Sequence, residues 1–600
     1  MEFSREERWQ LKGYAVATPG EDMAGTLFHP QKKLPYGVRT IMSENKNLIL
    51  AVVLCLIVLF GWGHFAEYMG WVAPPQQPSP EQLEKAEAAR QEAASRKEAA
   101  NPVFTPSPGR DFHVSTPLYE AVFYTGGGPL RSFMLKKYQA GILPDSGNVN
   151  LVNDKAAVVG PLGLVINSQP SWSTGQWTLL NGPESLDVAP GAQGSFTLVG
   201  QVDNLTVTRT FEIDASTYLI REKLNVANSS DHSRTVRVAF TTAMDKEMST
   251  GQYDSMRIAW DNNGSLDDED SAKTLETNGC QIHGNIYWAG PMSTYFIAAA
   301  LPGDISDVTV KGRLANTVYR AAVEQEEFLL NPGEQRDLEV SYWLGPKVRS
   351  EMEAVSEQLV KSIDLGWFSF IGRILLWLLE FFQGYVHNWG IAIILLTLLI
   401  KAAFWPLTAK SYASMEKMKQ LQPFMQTIRE KYKGNREQMN KEVMALYKTY
   451  NVNPASGCVP ILVQLPVFFG LYQALLSSIA LRHASFITYL PGTHIIWLAD
   501  LSAKDPLYIT PIIMGITMFL QQRMSPPPAD PTQAKIMMFL PLIFTVLFLN
   551  FPAGLVLYWL VNNILSILQQ WLMIRKNRRQ KPLAPVAQSA EQPRVRTRNK

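Results

Sequence analysis

Five apolar segments crowd the last third of the chain, and they limit the fold more than any other feature. Their bounds are Trp389–Trp405, Val459–Leu481, Tyr508–Leu520, Ile536–Phe551 and Gly554–Ile574. A helix needs about 20 apolar residues to span roughly 30 Å of hydrocarbon, so the segments predict membrane-spanning helices. The third segment has 13 residues and the fourth has 16. A re-entrant third segment is the alternative. Removing both short segments would leave the parity of the crossings unchanged, so the predicted orientation of the other segments would stay the same.

A sixth apolar segment stands near the start of the sequence. Leu48–Phe65 supplies 18 residues without Asp, Glu, Lys or Arg, which is about the minimum for a span. A cleaved signal peptide is the alternative, but no small-x-small cleavage site follows closely. An uncleaved anchor is therefore predicted. The residues before Met42 show no clear periodicity, and Met42 is predicted as the translation start in place of Met1.

The distribution of Lys and Arg orients the segments, because cytoplasmic loops carry the excess of basic residues. The loop Ala409–Gly457 holds nine of them, and the loop Arg482–Leu507 holds two. The tail after Ile574 holds nine basic residues against one acidic residue. The first loop and the tail are therefore predicted to be cytoplasmic. Six crossings then place both termini inside and the region between the first two spans outside.

That outer region, from Asp111 to Trp343, alternates apolar and polar residues with a period of two, which is typical of half-buried strands. The clearest examples are Phe196–Val199, Leu205–Ile213 and Thr235–Phe240. Turn signals such as Gly126-Gly-Gly-Pro separate the strands. The pattern predicts a large antiparallel β-sandwich. A Pro-rich linker precedes it and is expected to isolate it from the helices.

Several functional classes lack their sequence signals. The chain has no phosphate-cradling glycine loop, no His-Glu-x-x-His and no nucleophile elbow. The cysteines Cys55, Cys280 and Cys458 make neither a disulfide framework nor a zinc spacing. The acidic run Asp267–Asp270 is interpreted as an exposed loop, with a cation site as the alternative. The sequence therefore predicts no metal, no cofactor and no enzyme.

Lys401 is the most informative single residue. It lies 12 residues into the apolar run that begins at Gly390, where an ammonium costs roughly 2.5–3.5 kcal/mol on insertion scales. Snorkelling to the cytoplasmic headgroups is one interpretation, but Lys410 marks that interface about 13 Å farther along a helix. A water-filled cavity is the other interpretation, and it is favoured. Thr397 lies four residues earlier and so shares the face of Lys401.

Other polar side chains occupy the same apolar segments. They are Gln464, Gln473, Asn562, Asn563, Gln569 and Gln570. Each amide alone is more often a hydrogen bond between helices, and together they could line one hydrated pocket with the lysine.

The basic loop divides at Gly434-Asn435 into two stretches with apolar residues at helical spacing, which predicts a helical hairpin. Its methionines suit varied partners, but packing of the hairpin on itself explains the pattern equally well. Before the second span, the apolar stretch Trp367–Gln383 carries Arg373 and Glu380 on one narrow face. This stretch is predicted to be an amphipathic helix lying in the membrane interface.

An ordered set of short motifs runs through the helical part. It comprises Trp389-Gly, Pro406-Leu-Thr, Leu421-Gln-Pro, Ala445-Leu-Tyr-Lys, Asn453-Pro, Gln464-Leu-Pro-Val-Phe, Asp505-Pro-Leu-Tyr-Ile-Thr-Pro and Phe551-Pro-Ala-Gly-Leu-Val-Leu-Tyr-Trp. The set resembles the YidC/Oxa/Alb family of membrane protein insertases. The β-domain resembles the Gram-negative form of that family, which has a large periplasmic domain.

The resemblance implies a membrane α-helical core of six transmembrane helices plus an all-β periplasmic sandwich, in the cell inner membrane. Five helices would enclose a hydrophilic groove open to the cytoplasm and to lipid. The groove and substrate-contact positions of the family fall on Lys401, Thr397, Gln464, Phe468, Met514 and Trp559. Family members often have Arg at the position of Lys401, and some have Tyr at that of Trp559.

The function implied is insertion and folding of inner-membrane proteins, alone or with the Sec translocon. The implied partners are nascent membrane proteins, the Sec translocon, membrane lipids, and the ribosome through the hairpin and the basic tail. A transporter or channel with a periplasmic sensing domain is the alternative, although no internal repeat crosses the five segments. An enzyme in the β-domain is a second alternative, which a convergent His/Glu pair in a cleft would support.

The predicted organisation has a cytoplasmic segment at 1–47, within which 1–41 is not translated if Met42 is the start. There follow transmembrane helix 1 at 48–69, a periplasmic linker at 70–110, the β-sandwich at 111–346, connecting and interfacial helices at 347–387, transmembrane helix 2 at 388–407, the hairpin at 408–457, transmembrane helix 3 at 458–481, a periplasmic loop at 482–507, transmembrane helix 4 at 508–523, a cytoplasmic loop at 524–535, transmembrane helix 5 at 536–551, transmembrane helix 6 at 554–574 and the basic tail at 575–600.

Overall fold

The structure is a computed structural model that describes residues 107–143, 145–180, 184–248, 253–453, 459–525 and 531–577. The predicted start at Met42, the first transmembrane helix, most of the linker and the basic tail beyond residue 577 lie outside these ranges. All described residues belong to one compact unit of the chain, Pro75–Lys600.

The residues from Asp111 to Pro346 fold into the predicted all-β domain. Its strands are β1 Asp111–Ser115, β2 Tyr119–Tyr124, β3 Leu130–Gln139, β4 Asn148–Val152, β5 Leu164–Ile166, β6 Gln169–Pro170, β7 Trp177–Leu180, β8 Ser185–Asp187, β9 Gln193–Val202, β10 Leu205–Asp214, β11 Leu219–Asn228, β12 Arg234–Val236, β13 Val238–Asp245, β14 Arg257–Asn262, β15 Ser265–Glu269, β16 Cys280–Gly284, β17 Ile286–Met292, β18 Phe296–Pro302, β19 Val308–Ala315, β20 Val318–Glu324, β21 Phe328–Leu330 and β22 Gln335–Pro346.

The strands described here form three larger sheets that pack on one another. Their orders are β15-β14-β17-β18-β22-β11-β10-β9-β7, β16-β19-β20-β13-β5-β6 and β4-β3-β2-β1-β8, and β12 pairs separately with β21. Phe196, on the largest sheet, meets Phe112 and Phe123 of the third sheet with ring centroids 4.8 and 5.0 Å apart. One buried apolar cluster runs through the whole domain. The sheets therefore form the predicted sandwich, although it is not wholly antiparallel, because β1 pairs with β8 in parallel.

Alternation predicts the strands well where one face is buried and less well elsewhere. In β10 every second residue is buried, as the period of two requires. The stretch Thr235–Phe240 instead divides between β12 and β13, which pair with different strands. All eight residues of β13 are buried, because other elements cover both of its faces.

The interpretation of Asp267–Asp270 as a loop is wrong for most of the run. Asp267, Asp268 and Glu269 lie on β15, the edge strand of the largest sheet. Charged side chains suit an edge strand, because they discourage pairing with another chain. Among the described residues, no group of three or more His, Cys, Asp or Glu side chains is arranged to hold a metal ion.

Helices dominate after Pro346. The helices of the described chain are α1 Asp154–Ala157, α2 Ala272–Thr277, α3 Arg349–Glu353, α4 Glu357–Val360, α5 Ser369–Val386, α6 Trp389–Lys431, α7 Arg436–Thr449, α8 Val459–Ser477, α9 Ile509–Met524, α10 Pro531–Phe548 and α11 Ala553–Asn577. A short hairpin, β23 Ile487–Tyr489 and β24 Ile496–Leu498, lies between α8 and α9. The short helices α3 and α4 lie in the predicted connecting region, and Ser356 caps the second of them.

Helix α6 is longer than the predicted second span. It starts at the cap residue Asn388, whose side chain accepts a hydrogen bond from the Ile391 amide, and it continues through Pro406 to Lys431. No break therefore separates the predicted span from the first arm of the hairpin. The change from apolar to polar side chains marks where the predicted span ends. The backbone hydrogen bonds of the helix do not depend on the side chains and can continue past that point.

Two helices within the described ranges are long and apolar enough to cross a membrane. One is α6, and the other covers Ala553–Arg575 of α11. Leu462–Ser477 and Lys535–Phe548 are shorter apolar helices.

The helical hairpin packs on itself. The chain turns between Tyr432 and Asn435, as predicted, and Asn435 caps α7. Leu421 and Met425 of α6 are buried against Tyr447 of α7. The apolar residues at helical spacing are therefore explained, at least in part, by the hairpin's own core.

The β-domain is not isolated from the helices, contrary to the expectation from the linker. Arg482 follows α8, and its guanidinium donates to the carbonyl oxygens of Gln139 and Ala140 at 2.7 and 3.1 Å. The same guanidinium lies 5.5 Å from the centre of the Phe296 ring. Ile479, three residues earlier, packs into the apolar core of the β-domain.

Candidate functional site

Lys401 is held between two long helices. It lies on α6, which packs against α11. Its side chain is 6% exposed, and its ammonium donates to the Ser566 hydroxyl at 2.7 Å. No carboxylate of the described chain forms an ion pair with it. The structure therefore places one buried cation against a neutral partner.

A chain of hydrogen bonds continues from this contact. Ser566 donates to the backbone carbonyl of Asn562 at 2.7 Å. The side-chain carbonyl of Asn562 accepts from the Gln464 amide at 3.3 Å. Lys401, Ser566, Asn562 and Gln464 thus join α6, α11 and α8, and we call these four residues the polar cluster. Of the predicted site residues, the structure brings Lys401 and Gln464 into it.

Thr397 lies outside the polar cluster. It is 1% exposed, and its hydroxyl donates to the Ile393 carbonyl of the same helix at 2.7 Å. Bonding of this kind satisfies a buried hydroxyl without a partner on another helix.

The three remaining predicted residues share an apolar cluster with each other. Phe468 meets Trp559 edge to face, with centroids 5.1 Å apart. Met514 is fully buried in the same cluster, while Phe468 and Trp559 are partly exposed. Phe548 adds a third ring, 5.3 Å from that of Trp559. These residues therefore form a polarizable apolar cluster, in which Phe468 and Trp559 are partly exposed.

Sequence reasoning missed Ser566, the partner of Lys401. The signal was its spacing on α11, because Asn562, Ser566, Gln569 and Gln570 recur at steps of three, four or one and share one face. Gln569 on this face donates to Thr408 of α6 at 2.7 Å. Two hydrogen bonds, Lys401 to Ser566 and Gln569 to Thr408, therefore join this face of α11 to α6.

The arrangement favours electrostatic binding over bond-making chemistry. A hydroxyl partner leaves the lysine charge uncompensated, and two unit charges 8 Å apart attract by about 2 kcal/mol at an effective dielectric constant of about 20. The site therefore suits transient attraction of an anionic group.

Two family models match the chain. The model described as 60Kd inner membrane protein matches residues 381–581, and the model described as YidC periplasmic domain matches residues 111–378.

Curated relatives are similar along most of the chain. A protein of Nitratidesulfovibrio vulgaris (strain DP4) named Membrane protein insertase YidC is 54% identical over 538 residues, which are 89% of this chain and 100% of the relative. A protein of the same name from Lawsonia intracellularis is 49% identical over 535 residues, with coverage of 89% and 100%. A solved structure entitled "Active YidC insertase crystal structure with the first transmembrane domain resolved" is 20% identical, covers 78% of this chain and 95% of its own, and has a TM-score of 0.33.

Proposed function

The chain belongs to the YidC family of membrane protein insertases, and we propose that it draws client segments into the membrane through a polar path built around Lys401. The insertase function follows from the family, whose members are insertases and not enzymes. The chain is accordingly an inner-membrane protein with a periplasmic domain. The alternative of a transporter or channel is not favoured, because the relatives of similar length are named as insertases.

The observation that supports the path is the hydrogen bond from Lys401 to the neutral Ser566 among apolar helices. A client with one span must move a short polar tail across hydrocarbon. A hydrophilic groove, open to the cytoplasm and to lipid, shortens the dehydrated part of that route. The ammonium would attract acidic residues of the tail, and Thr397 and Gln464 would line the groove beside it.

The apolar segment of the client would leave sideways into lipid. Phe468 and Trp559 would offer it an apolar surface on the way, and Met514 would support them from within the same apolar cluster. Burial of the segment contributes about 25 cal/mol per Å² of apolar surface. If this gain exceeds the free energy of moving the polar tail, insertion needs no ATP.

The proposed topology has six crossings with both termini in the cytoplasm. It is supported by the nine basic residues of Ala409–Gly457 and the nine after Ile574. Helix α5 would lie in the periplasmic membrane interface, because Phe370, Trp377 and Tyr385 on it are 70%, 62% and 74% exposed.

The proposed partners follow from charge and position. The hairpin and the basic tail would bind the ribosome, since basic residues attract RNA phosphates in a salt-dependent way. The Sec translocon would share clients with the insertase, and lipids would contact α5 and the open side of the groove.

The test is insertion of two single-spanning clients, with acidic and neutral translocated tails, by full-length protein in proteoliposomes. Lys401→Ala should lower insertion of the acidic client about tenfold more than that of the neutral client. Lys401→Arg should keep both activities, because the charge is retained. Lys410→Ala, on the exposed part of the same helix, is the matched control. Normal insertion of both clients by Lys401→Ala would show that the lysine only snorkels.

A further inference from the structure

We propose that Ser566 is a positioning residue for Lys401: it holds the ammonium among the helices without neutralising it, so that the charge stays available to an acidic client segment. This inference rests on the proposed role of Lys401. It starts from the 2.7 Å contact between the Lys401 ammonium and the Ser566 hydroxyl. Both side chains are buried, with 6% and 2% exposed.

The hydroxyl of Ser566 presents a lone pair to the lysine. A serine hydroxyl has one proton to donate and two lone pairs to accept with. Its proton goes to the Asn562 carbonyl at 2.7 Å, so both lone pairs remain. Ser566 is thus oriented by its own helix, and one of its lone pairs accepts the hydrogen bond from Lys401.

A fixed acceptor matters because lysine has a long, flexible stem. Without it, rotation about the bonds of this stem would leave the depth of the ammonium undefined. Lys410 marks the start of the cytoplasmic interface, about 13 Å farther along α6. Ser566 therefore sets the depth at which the charge lies.

The neutrality of Ser566 matters equally. A carboxylate at the same position would hold the ammonium as well, but it would cancel the charge that a client acid must meet. The ammonium has three N–H donors, and within the described chain one of them is used by Ser566. Two donors remain for the carboxylate of a client.

The experiment uses full-length protein in proteoliposomes and the two clients with acidic and neutral tails. Its readout is the insertion rate of the acidic client divided by that of the neutral client. A general packing defect would lower both rates and leave this ratio unchanged. Ser566→Ala should lower the ratio at least fivefold. Ser566→Thr keeps the hydroxyl and should give the same ratio as the wild type. Ser566→Asp should lower the ratio to the level of Lys401→Ala, because the new carboxylate would pair with the ammonium.

Thr408→Ala is the matched control. Thr408 is 2% exposed and accepts a hydrogen bond from Gln569 at 2.7 Å. This bond joins the same two helices as the Lys401 contact, but it does not involve Lys401. Its loss should leave the ratio unchanged, although insertion of both clients can fall together.

The outcomes separate this inference from the proposed function. A low ratio for Lys401→Ala with a normal ratio for Ser566→Ala overturns the inference alone. A normal ratio for Lys401→Ala overturns both. If Ser566→Ala does not accumulate, Ser566→Asp is the test of the proposal. A wild-type ratio in Ser566→Asp would contradict the proposal.

Discussion

The β-domain and the helical core each bury a cation, but they treat it in opposite ways. Arg209 in the β-domain is fully buried and binds Glu222 through two parallel hydrogen bonds of 2.6 and 2.9 Å. Tyr342 donates to the same carboxylate at 3.0 Å. Lys401 in the helical core has a hydroxyl as its partner and no carboxylate among the described residues. The charge of Arg209 is therefore cancelled by a carboxylate, whereas the charge of Lys401 is not compensated within the described chain.

Two other N–H donors of Arg209 show what a cancelled charge does. They bind the carbonyl oxygens of Gly127 and Leu162, and so tie two loops to the largest sheet. Gly128, in the same loop as Gly127, has a φ of +78°, and a Cβ there would lie 2.8 Å from the guanidinium. Arg209 therefore holds a carboxylate and two backbone carbonyls in one arrangement. A fully paired charge stabilises one structure, whereas an unpaired charge stays free to bind.

The largest expected effect comes from breaking the pair in the β-domain. Glu222→Gln leaves the guanidinium of Arg209 buried without a counter-charge, which should destabilise the domain by about 3–5 kcal/mol. Proteolysis of the full-length protein in increasing urea, followed on fragments of the β-domain, measures this change. The double variant Arg209→Met/Glu222→Leu is the control and should be close to wild type, because it buries no charge. Equal loss in both variants would contradict the comparison.

A third buried cation tests the comparison through pH. Lys347, directly after β22, is 5% exposed and donates to the Ser293 carbonyl at 3.2 Å. Burial, and to a smaller extent the nearby Arg257, lower the pKa of Lys347 to about 7. Because the pKa in an unfolded chain is about 10.4, the unfolded state binds more protons between pH 7 and that value.

Stability of the β-domain should therefore rise with pH from 7 upward and be lowest below pH 7. The slope is at most about 1.4 kcal/mol per pH unit. Urea midpoints of wild type and Lys347→Met, measured between pH 6 and 9, isolate this contribution, because the variant should lack it. Parallel curves for the two proteins would show that Lys347 stays protonated through the window.

Local patterns in the sequence predicted most of the architecture. The period of two in β10 and the apolar runs of α8 and α11 depend on neighbours in the chain, so they are visible without tertiary structure. Alternation could not show which elements pack on β13, because both faces of this strand are buried and its residues do not alternate. The division of Thr235–Phe240 between two strands likewise depends on distant pairing partners.

The site was predictable where a residue is unusual in its surroundings. Lys401 stands out in an apolar run, whereas a serine in a helix attracts no notice. The proposed role of Ser566 depends on its contact with Lys401, which is 165 positions away in the sequence. The contact between Arg482 and Gln139 joins residues 343 positions apart. No local pattern encodes either distance.

A smaller effect is expected on the helical side of the comparison. Lys401→Met removes an uncompensated charge and should stabilise the helical core by about 1–2 kcal/mol, since burying the ammonium costs more than its one hydrogen bond returns. Thermal unfolding in nanodiscs at a fixed scan rate measures the change, with Lys410→Met as the exposed control. A loss of stability as large as that of Glu222→Gln would mean that Lys401 is a structural anchor like Arg209.

The smallest effect concerns Arg482, which lies where the two regions meet. It is 9% exposed, yet its guanidinium binds backbone carbonyl oxygens and, in the part of the chain that the structure describes, pairs with no carboxylate. It is therefore intermediate between Arg209, whose charge is cancelled, and Lys401, whose charge is open. The carbonyls that it binds belong to the end of β3 and the loop that follows.

Arg482→Ala should weaken the contact between the β-domain and the loop after α8 by about 1 kcal/mol, because water can replace the guanidinium at Gln139 and Ala140. A cysteine pair introduced at Gln139 and His483 reports the contact through its rate of disulfide formation in the full-length protein. This rate should fall about fivefold when Arg482→Ala is added, and it should stay unchanged when Lys504→Ala is added, since Lys504 is the other basic residue of the loop. Insertion of both clients should change by less than twofold, because the polar cluster keeps all its contacts. A selective loss of the acidic client in Arg482→Ala would show that the β-domain takes part in handling the charge, and that the two regions are not separate in function.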